Sequence, residues 1–192
     1  MNTLILQPTA TADWQTLIKE AEVASHHPLG EDLESYLVFL LIRFMKKAEM
    51  ANSVLALEFL HSLELAGRVQ ADQLRDVGDK CLLFAGLFPG RAERRRVRIS
   101  YFVEMGENAY AHLANMLTQQ KLADLYAALR KGFVSLMDVL HAMREIDSEN
   151  SSLTPLQAHE IWADTASSYA LASLNHYTTA IPLYSKISNS KH

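Results

Sequence analysis

Apolar residues recur along this chain with a period near 3.6, in runs of helix length separated by proline and glycine, and this pattern predicts an all-α protein. The breakers stand at Pro8, Pro28 to Gly30, Gly67, Pro89-Gly90, Pro155 and Pro182. The first predicted helix starts at Thr11 as N-cap, carries Trp14, Leu17, Ile18 and Ala21 on one face, and ends near His26-His27-Pro28. At that end His26 and His27 read as solvent residues. The second helix opens on Glu31, Asp32 and Glu34, where the helix dipole favours negative charge. Its stripe runs Leu33, Tyr36, Leu37, Leu40, Leu41, Phe44, Met45 and Ala48, while Val38, Phe39 and Ile42 make most of the remaining circumference apolar. A helix apolar nearly all round belongs at the centre of a bundle or in a subunit interface, so a homodimer or other self-association through this helix is the expectation.

Asn52 is placed to cap a leucine-rich third helix that stops at Gly67, a C′ residue. Gln70 to Phe88 forms the next segment, in which Gly78 and Gly86 cost about 1 kcal/mol each relative to Ala and imply close backbone packing. Ser100 caps a helix from Tyr101 to about Leu117, and Leu122 to Ile146 reads as one amphipathic helix. Thr154-Pro155-Leu156-Gln157 is a capping box, with Thr at N-cap, Pro at N1 and Gln at N3, and the helix it opens should run to about Tyr177. Residues 1–178 thus read as a single-domain bundle of six or seven helices, and 179–192 as a frayed or extended tail.

Composition supports this picture: 192 residues, 49% of them hydrophobic, with only seven Gly and five Pro, suit one helical domain with an ample core. A net charge of -4 argues against nucleic acid or anionic lipid as a general partner. The lone Cys81 cannot form an intrachain disulfide, which fits a reducing compartment, and its apolar run makes it a core residue rather than a thiolate nucleophile. The start MNTLILQPTATADW lacks the basic flank and long apolar core of a secretory signal. The longest uninterrupted apolar run, Leu37 to Ile42, falls far short of the about 20 residues that span a bilayer. A cytoplasmic protein with no membrane partner is expected.

The sharpest change of chemistry lies between Val77 and Ala111, where an apolar helix stops at Pro89-Gly90, passes through five arginines and restarts as an aromatic helix. Arg91, Arg94, Arg95 and Arg98 stand at i, i+3, i+4 and i+7, one face of a helix, with Arg96 to the side. Planar guanidinium groups donate bidentately to phosphate and carboxylate, so the run predicts an anion or partner contact. The plainer alternative pairs these arginines with the chain's own carboxylates, such as Glu104 or Glu107; acidic residues outnumber basic ones, 22 to 18.

A second constellation has the order of a ferritin-like di-metal centre: Glu58-x-x-His61 and Asp138-x-x-His141 on two helices, with Glu34 and Glu104 on others. It would hold iron or manganese and make the protein an oxidoreductase. Against it, the second motif has Asp for Glu, and Asp138, His141, Glu145 and Lys131 share a face that reads as solvent-exposed. His112, His159 and His176 share no spacing, and neither a nucleophile elbow nor a phosphate-binding glycine loop is present. The leading expectation is therefore a non-catalytic binding or regulatory protein, with no cofactor, whose contact surface is arginine-rich.

The stretch Gly78-Asp79-Lys80-Cys81-Leu82-Leu83-Phe84-Ala85-Gly86-Leu87-Phe88-Pro89, followed by Arg91-Ala92-Glu93-Arg94-Arg95 and by Tyr101-Phe102, Met105-Gly106 and Ala109-Tyr110, resembles a group of uncharacterised bacterial all-helical proteins. The resemblance implies a bacterial cytoplasmic origin and brings no activity or catalytic residues with it.

Overall fold

The computed structural model describes residues 8–46, 55–90, 97–146 and 153–177. Among them it shows nine helices and no strand: α1 (Pro8–Ser25), α2 (Glu31–Lys46), α3 (Leu55–Glu64), α4 (Gly67–Leu87), α5 (Ile99–Met116), α6 (Gln120–Lys131), α7 (Phe133–Glu145), α8 (Pro155–Thr165) and α9 (Ser168–Tyr177). No helix of the described residues is long and apolar enough to cross a membrane.

The capping box forms as the sequence requires: the Gln157 backbone N–H donates to the Thr154 hydroxyl, and the Thr154 N–H donates to the Gln157 side chain. α1 ends in a Schellman turn without glycine. His26 takes the left-handed conformation at φ 57° while the His26 N–H reaches the Val23 carbonyl and the His27 N–H the Glu22 carbonyl. That turn aims His27 back into the bundle.

α4 is the hub, packed against α3, α5 and α7, and its small residues make the packing close. A Cβ at Gly78 would lie 2.5 Å from the Tyr110 ring, and one at Gly86 2.6 Å from Leu140. From α5, Gly106 meets the Phe133 ring in the same way, at 2.4 Å. Cys81 is fully buried in this layer, and burial pushes its thiol far above the ordinary range, so it is a core residue. α1 lies on α2 and α7, α6 lies on α5 and α2, and α8 and α9 pair with each other, α8 against α5 and α9 against α7.

The helix count exceeds the six or seven expected because two long segments break. Gly132 separates α6 from α7, its Cα passing so close to Leu33 that a Cβ there would stand 3.2 Å from a Leu33 methyl. Ala166 ends α8 in the left-handed conformation at φ 56°, and Ser167 caps a new helix by accepting from the Ala170 N–H. Gly67 is not the C′ residue of α3: it opens α4, with φ 61°. Ser100 does not cap α5 either. Arg98 takes that position without a side-chain bond, and the Ser100 hydroxyl donates to Asp164 at 3.0 Å. The expected cap Asn52 and the chain from Thr178 onward lie outside the described residues.

Candidate functional site

Burying a carboxylate costs several kcal/mol unless it is paired and hydrogen-bonded, so fully buried acids mark where the fold concentrates its polar chemistry. Two stand out, Asp79 on α4 and Asp138 on α7, both at 0% exposure. Asp79 follows Gly78 in the most apolar part of α4. The missing Cβ there lets Tyr110 of α5 lie against the helix, and its hydroxyl donates to Asp79 Oδ1 at 2.8 Å. Tyr36 of α2 donates to the same oxygen at 2.6 Å, and the Arg43 guanidinium, also from α2, ion-pairs with Oδ2. Burial holds the Tyr36 and Tyr110 phenols well above their ordinary pKa, which keeps them protonated as donors. Tyr126 of α6 closes the group, its ring 6.1 Å from Tyr36 and 5.9 Å from Tyr110. Both Asp79 oxygens are thus engaged by the chain itself, which makes this a knot tying α2, α4 and α5 rather than a base poised for substrate.

Asp138 ties a different set of helices. Ser167 donates to its Oδ1 at 2.5 Å, the Tyr169 N–H reaches Oδ2 at 3.3 Å, and His27 Nε2 lies 3.1 Å from Oδ2. The carboxylate therefore sits over the first turn of α9, where the helix dipole favours negative charge. Burial raises its pKa, and the hydrogen bonds from Ser167, Tyr169 and His27 pull it partly back. Ser168 Oγ lies 2.8 Å from the same His27 Nε2, which brings Ser, His and Asp together. A catalytic triad needs the two imidazole nitrogens to divide these tasks, one facing the acid and the other the nucleophile. Here one nitrogen serves both contacts; once it carries the proton given to Asp138 it has no lone pair for the serine, so the trio is a brace and not a nucleophile.

His141, one turn after Asp138, is fully buried with neither ring nitrogen hydrogen-bonded. Desolvation pushes its pKa down to about 3, with the Arg144 charge in support and Glu145 opposing, so the ring stays neutral. It stacks on Tyr169 with the two rings 3° from parallel, and the Tyr169 hydroxyl donates to Glu145 at 2.5 Å. Beyond Tyr169, α7 floors a cleft of about 900 Å³ whose walls are the C-terminal end of α1 and the exposed side of α9.

The di-metal constellation does not assemble. Glu58 accepts from Lys80 of α4 at 2.6 Å, and Glu34 ion-pairs with Lys19 and accepts from Gln15. His61 and Glu104 are exposed on α3 and α5, whereas Asp138 and His141 are buried on α7. Among the described residues no three His, Cys, Asp or Glu side chains form a group that could hold a metal ion. The sequence order was right for such a centre and the facing was wrong: these donors point to separate sides of the bundle. The solvent-exposed reading of Asp138 and His141 is likewise corrected, since the α7 face that carries them is covered by α1 and α9.

Of the arginine run, Arg91, Arg94, Arg95 and Arg96 lie outside the described residues. Arg98 has a side chain 71% exposed, and its guanidinium stands 3.5 Å from Asp164 of α8. The acids named as its alternative partners lie elsewhere: Glu104 is exposed, and Glu107 is half-buried, its pKa raised by that burial while the Arg130 charge opposes the rise.

Sequence reasoning misses Asp79, Arg43 and Ser167, and His27, expected in solvent, turns inward onto Asp138. A legible signal existed for one of them, since Asp79 is an acid inside an apolar helical run, flanked by Val77 and Gly78 on one side and Cys81 and Leu82 on the other. The outward row of leucines on α3 was also passed over. Leu57, Leu60 and Leu63 are 64%, 58% and 41% exposed, although each is a residue type that favours the interior. Comparison with known protein families, with curated proteins and with solved structures finds no match in any of the three.

Proposed function

We propose that this chain is a non-catalytic interaction protein that associates with a second copy of itself through α3, and that its arginine run, residues 91–98, is a contact surface for anionic groups of a regulatory partner. The row Leu57, Leu60 and Leu63 carries the reading. α3 buries Leu55 and Ser62 and packs Ala56 and Phe59 on the core, so its three remaining leucines face water in the isolated chain. Covering such surface is favourable by about 25 cal/mol per Å². The row is also self-complementary: it is spaced evenly about Leu60, so a twofold axis through Leu60 sets Leu57 of one copy against Leu63 of the other, an isologous contact.

Support for a non-catalytic role comes from the two buried carboxylates, whose hydrogen bonds are spent on holding helices together. The arginine contact draws on the exposure of Arg98, whose 3.5 Å ion pair with Asp164 at the surface is worth about 0 to 1 kcal/mol and is easily exchanged for a partner's acid. Sedimentation velocity across micromolar concentrations tests the proposal. A dimer that Leu60→Asp converts to a folded monomer supports it. A wild-type chain that stays monomeric throughout the range, or a dimer indifferent to Leu60→Asp, contradicts it.

A further inference from the structure

We propose that the cleft between α1 and α9 is a binding site for a small organic amine with an apolar body. Its volume of about 900 Å³ falls within the span of small-molecule sites, about 300 to 1,000 Å³. It exists because α1 and α9 both lie on α7. Ala24, Ala142 and Ala172 keep the space between them open.

The lining carries one sign of fixed charge. Glu20 from α1 and Glu145 from α7 face the cleft, and among the described residues no lysine or arginine lines it. Tyr169 and Tyr177 of α9 add aromatic rings, which attract a cation over their faces. The site is held in place from behind. Tyr169 is fixed by its stack on His141, by its backbone bond to Asp138 and by its hydroxyl bond to Glu145, so ring and carboxylate are positioned together before any ligand arrives. His141 stays neutral, so no buried charge behind the ring opposes a cation in front of it. Arg144, exposed and next to Glu145 in the chain, lies outside the lining. An ammonium group against Glu145 and Glu20 with its apolar body over the tyrosines and alanines matches this arrangement; a carboxylate ligand would meet two like charges.

Isothermal titration with 2-phenylethylamine, 2-phenylethanol and phenylacetate tests it. The amine is expected to bind at least about tenfold tighter than the alcohol, phenylacetate weaker still, and Glu145→Gln to abolish that preference. Chemical shifts should move at Tyr169 and Tyr177. If Glu145→Gln does not fold, Glu20→Gln takes its place. Equal affinity for amine and alcohol, no detectable amine binding, or shifts confined to residues outside the cleft would each overturn the proposal.

Discussion

α2 and α3 are both leucine-rich, yet the structure treats them in opposite ways. α2 buries Leu37, Val38, Leu40, Leu41 and Ile42 against α1 and its neighbours, leaving Phe39 outward, while α3 leaves Leu57, Leu60 and Leu63 in solvent. Adjacent residues of α4 do the tethering. Asp79 holds α2 through Tyr36 and Arg43, deep in the core, and Lys80 holds α3 through Glu58 at the edge, where the two side chains remain 16% and 29% exposed. One step along α4 thus separates an integrated helix from a peripheral one. An apolar circumference alone does not mark an interface: the more apolar-looking α2 was absorbed by the fold, and the shorter α3, anchored on one side, presents the surface.

The largest effect should come from cutting the deeper tether. Asp79→Ala leaves Arg43 without its carboxylate, and the buried Tyr110 and partly buried Tyr36 phenols without an acceptor, and breaking such a pair costs about 3 to 5 kcal/mol in denaturant unfolding. A loss below about 1 kcal/mol would mean that α2 is held by its apolar face alone. Leu40→Ala removes part of that face and should cost about 2 to 5 kcal/mol, whereas Leu60→Ala on α3 should stay within about 0.5 kcal/mol in the monomer. Equal losses at the two positions would erase the contrast between the helices.

Away from both helices, His141 supplies a pH dependence of definite sign. Its folded-state pKa, about 3, lies below the ordinary 6.5, so the unfolded chain binds the extra proton between those values. This contribution to stability is complete above pH 6.5 and is lost as pH falls toward 3, by up to about 1.4 kcal/mol per pH unit. His141→Phe should flatten that part of the profile; an unchanged slope would show that other groups cause it. At the smaller end, Lys80→Ala should cost about 1 kcal/mol and Arg98→Ala no more, since their pairs are exposed in part or in full.

Much of the helical plan was legible in the sequence because it is written locally. Pro155 behind Thr154, acids at the start of α2, and Gly78 and Gly86 as points of close approach all express contacts or preferences within a turn or two, or a demand on residue size. What escaped depends on distant partners. Tyr36 and Tyr110 reach Asp79 from 43 and 31 residues away, and His27 reaches Asp138 across 111. No periodicity reveals that those acids are inside. The break at Ala166 belongs to the same class: Ser167 opens α9 while donating to Asp138, a contact between two helices that an amphipathic pattern does not encode. Gly132 was visible as a residue but not as a break, because an isolated glycine is tolerated in a helix. The apolar circumference of α2 reads equally as a central helix or an interface, and only the contacts with α1 and α6 and the Asp79 tether show how much of it, Phe39 excepted, lies inside the bundle.

A covalent probe reads the geometry of the leucine row on α3 most directly. Leu60→Cys places one exposed thiol on the proposed twofold axis, while the native Cys81 is buried and does not compete. Under mild oxidation this variant should form a disulfide-linked dimer rapidly and nearly completely, and Val23→Cys, at a still more exposed position on α1, should not. Cross-linking no faster at position 60 than at position 23 would contradict self-association through α3.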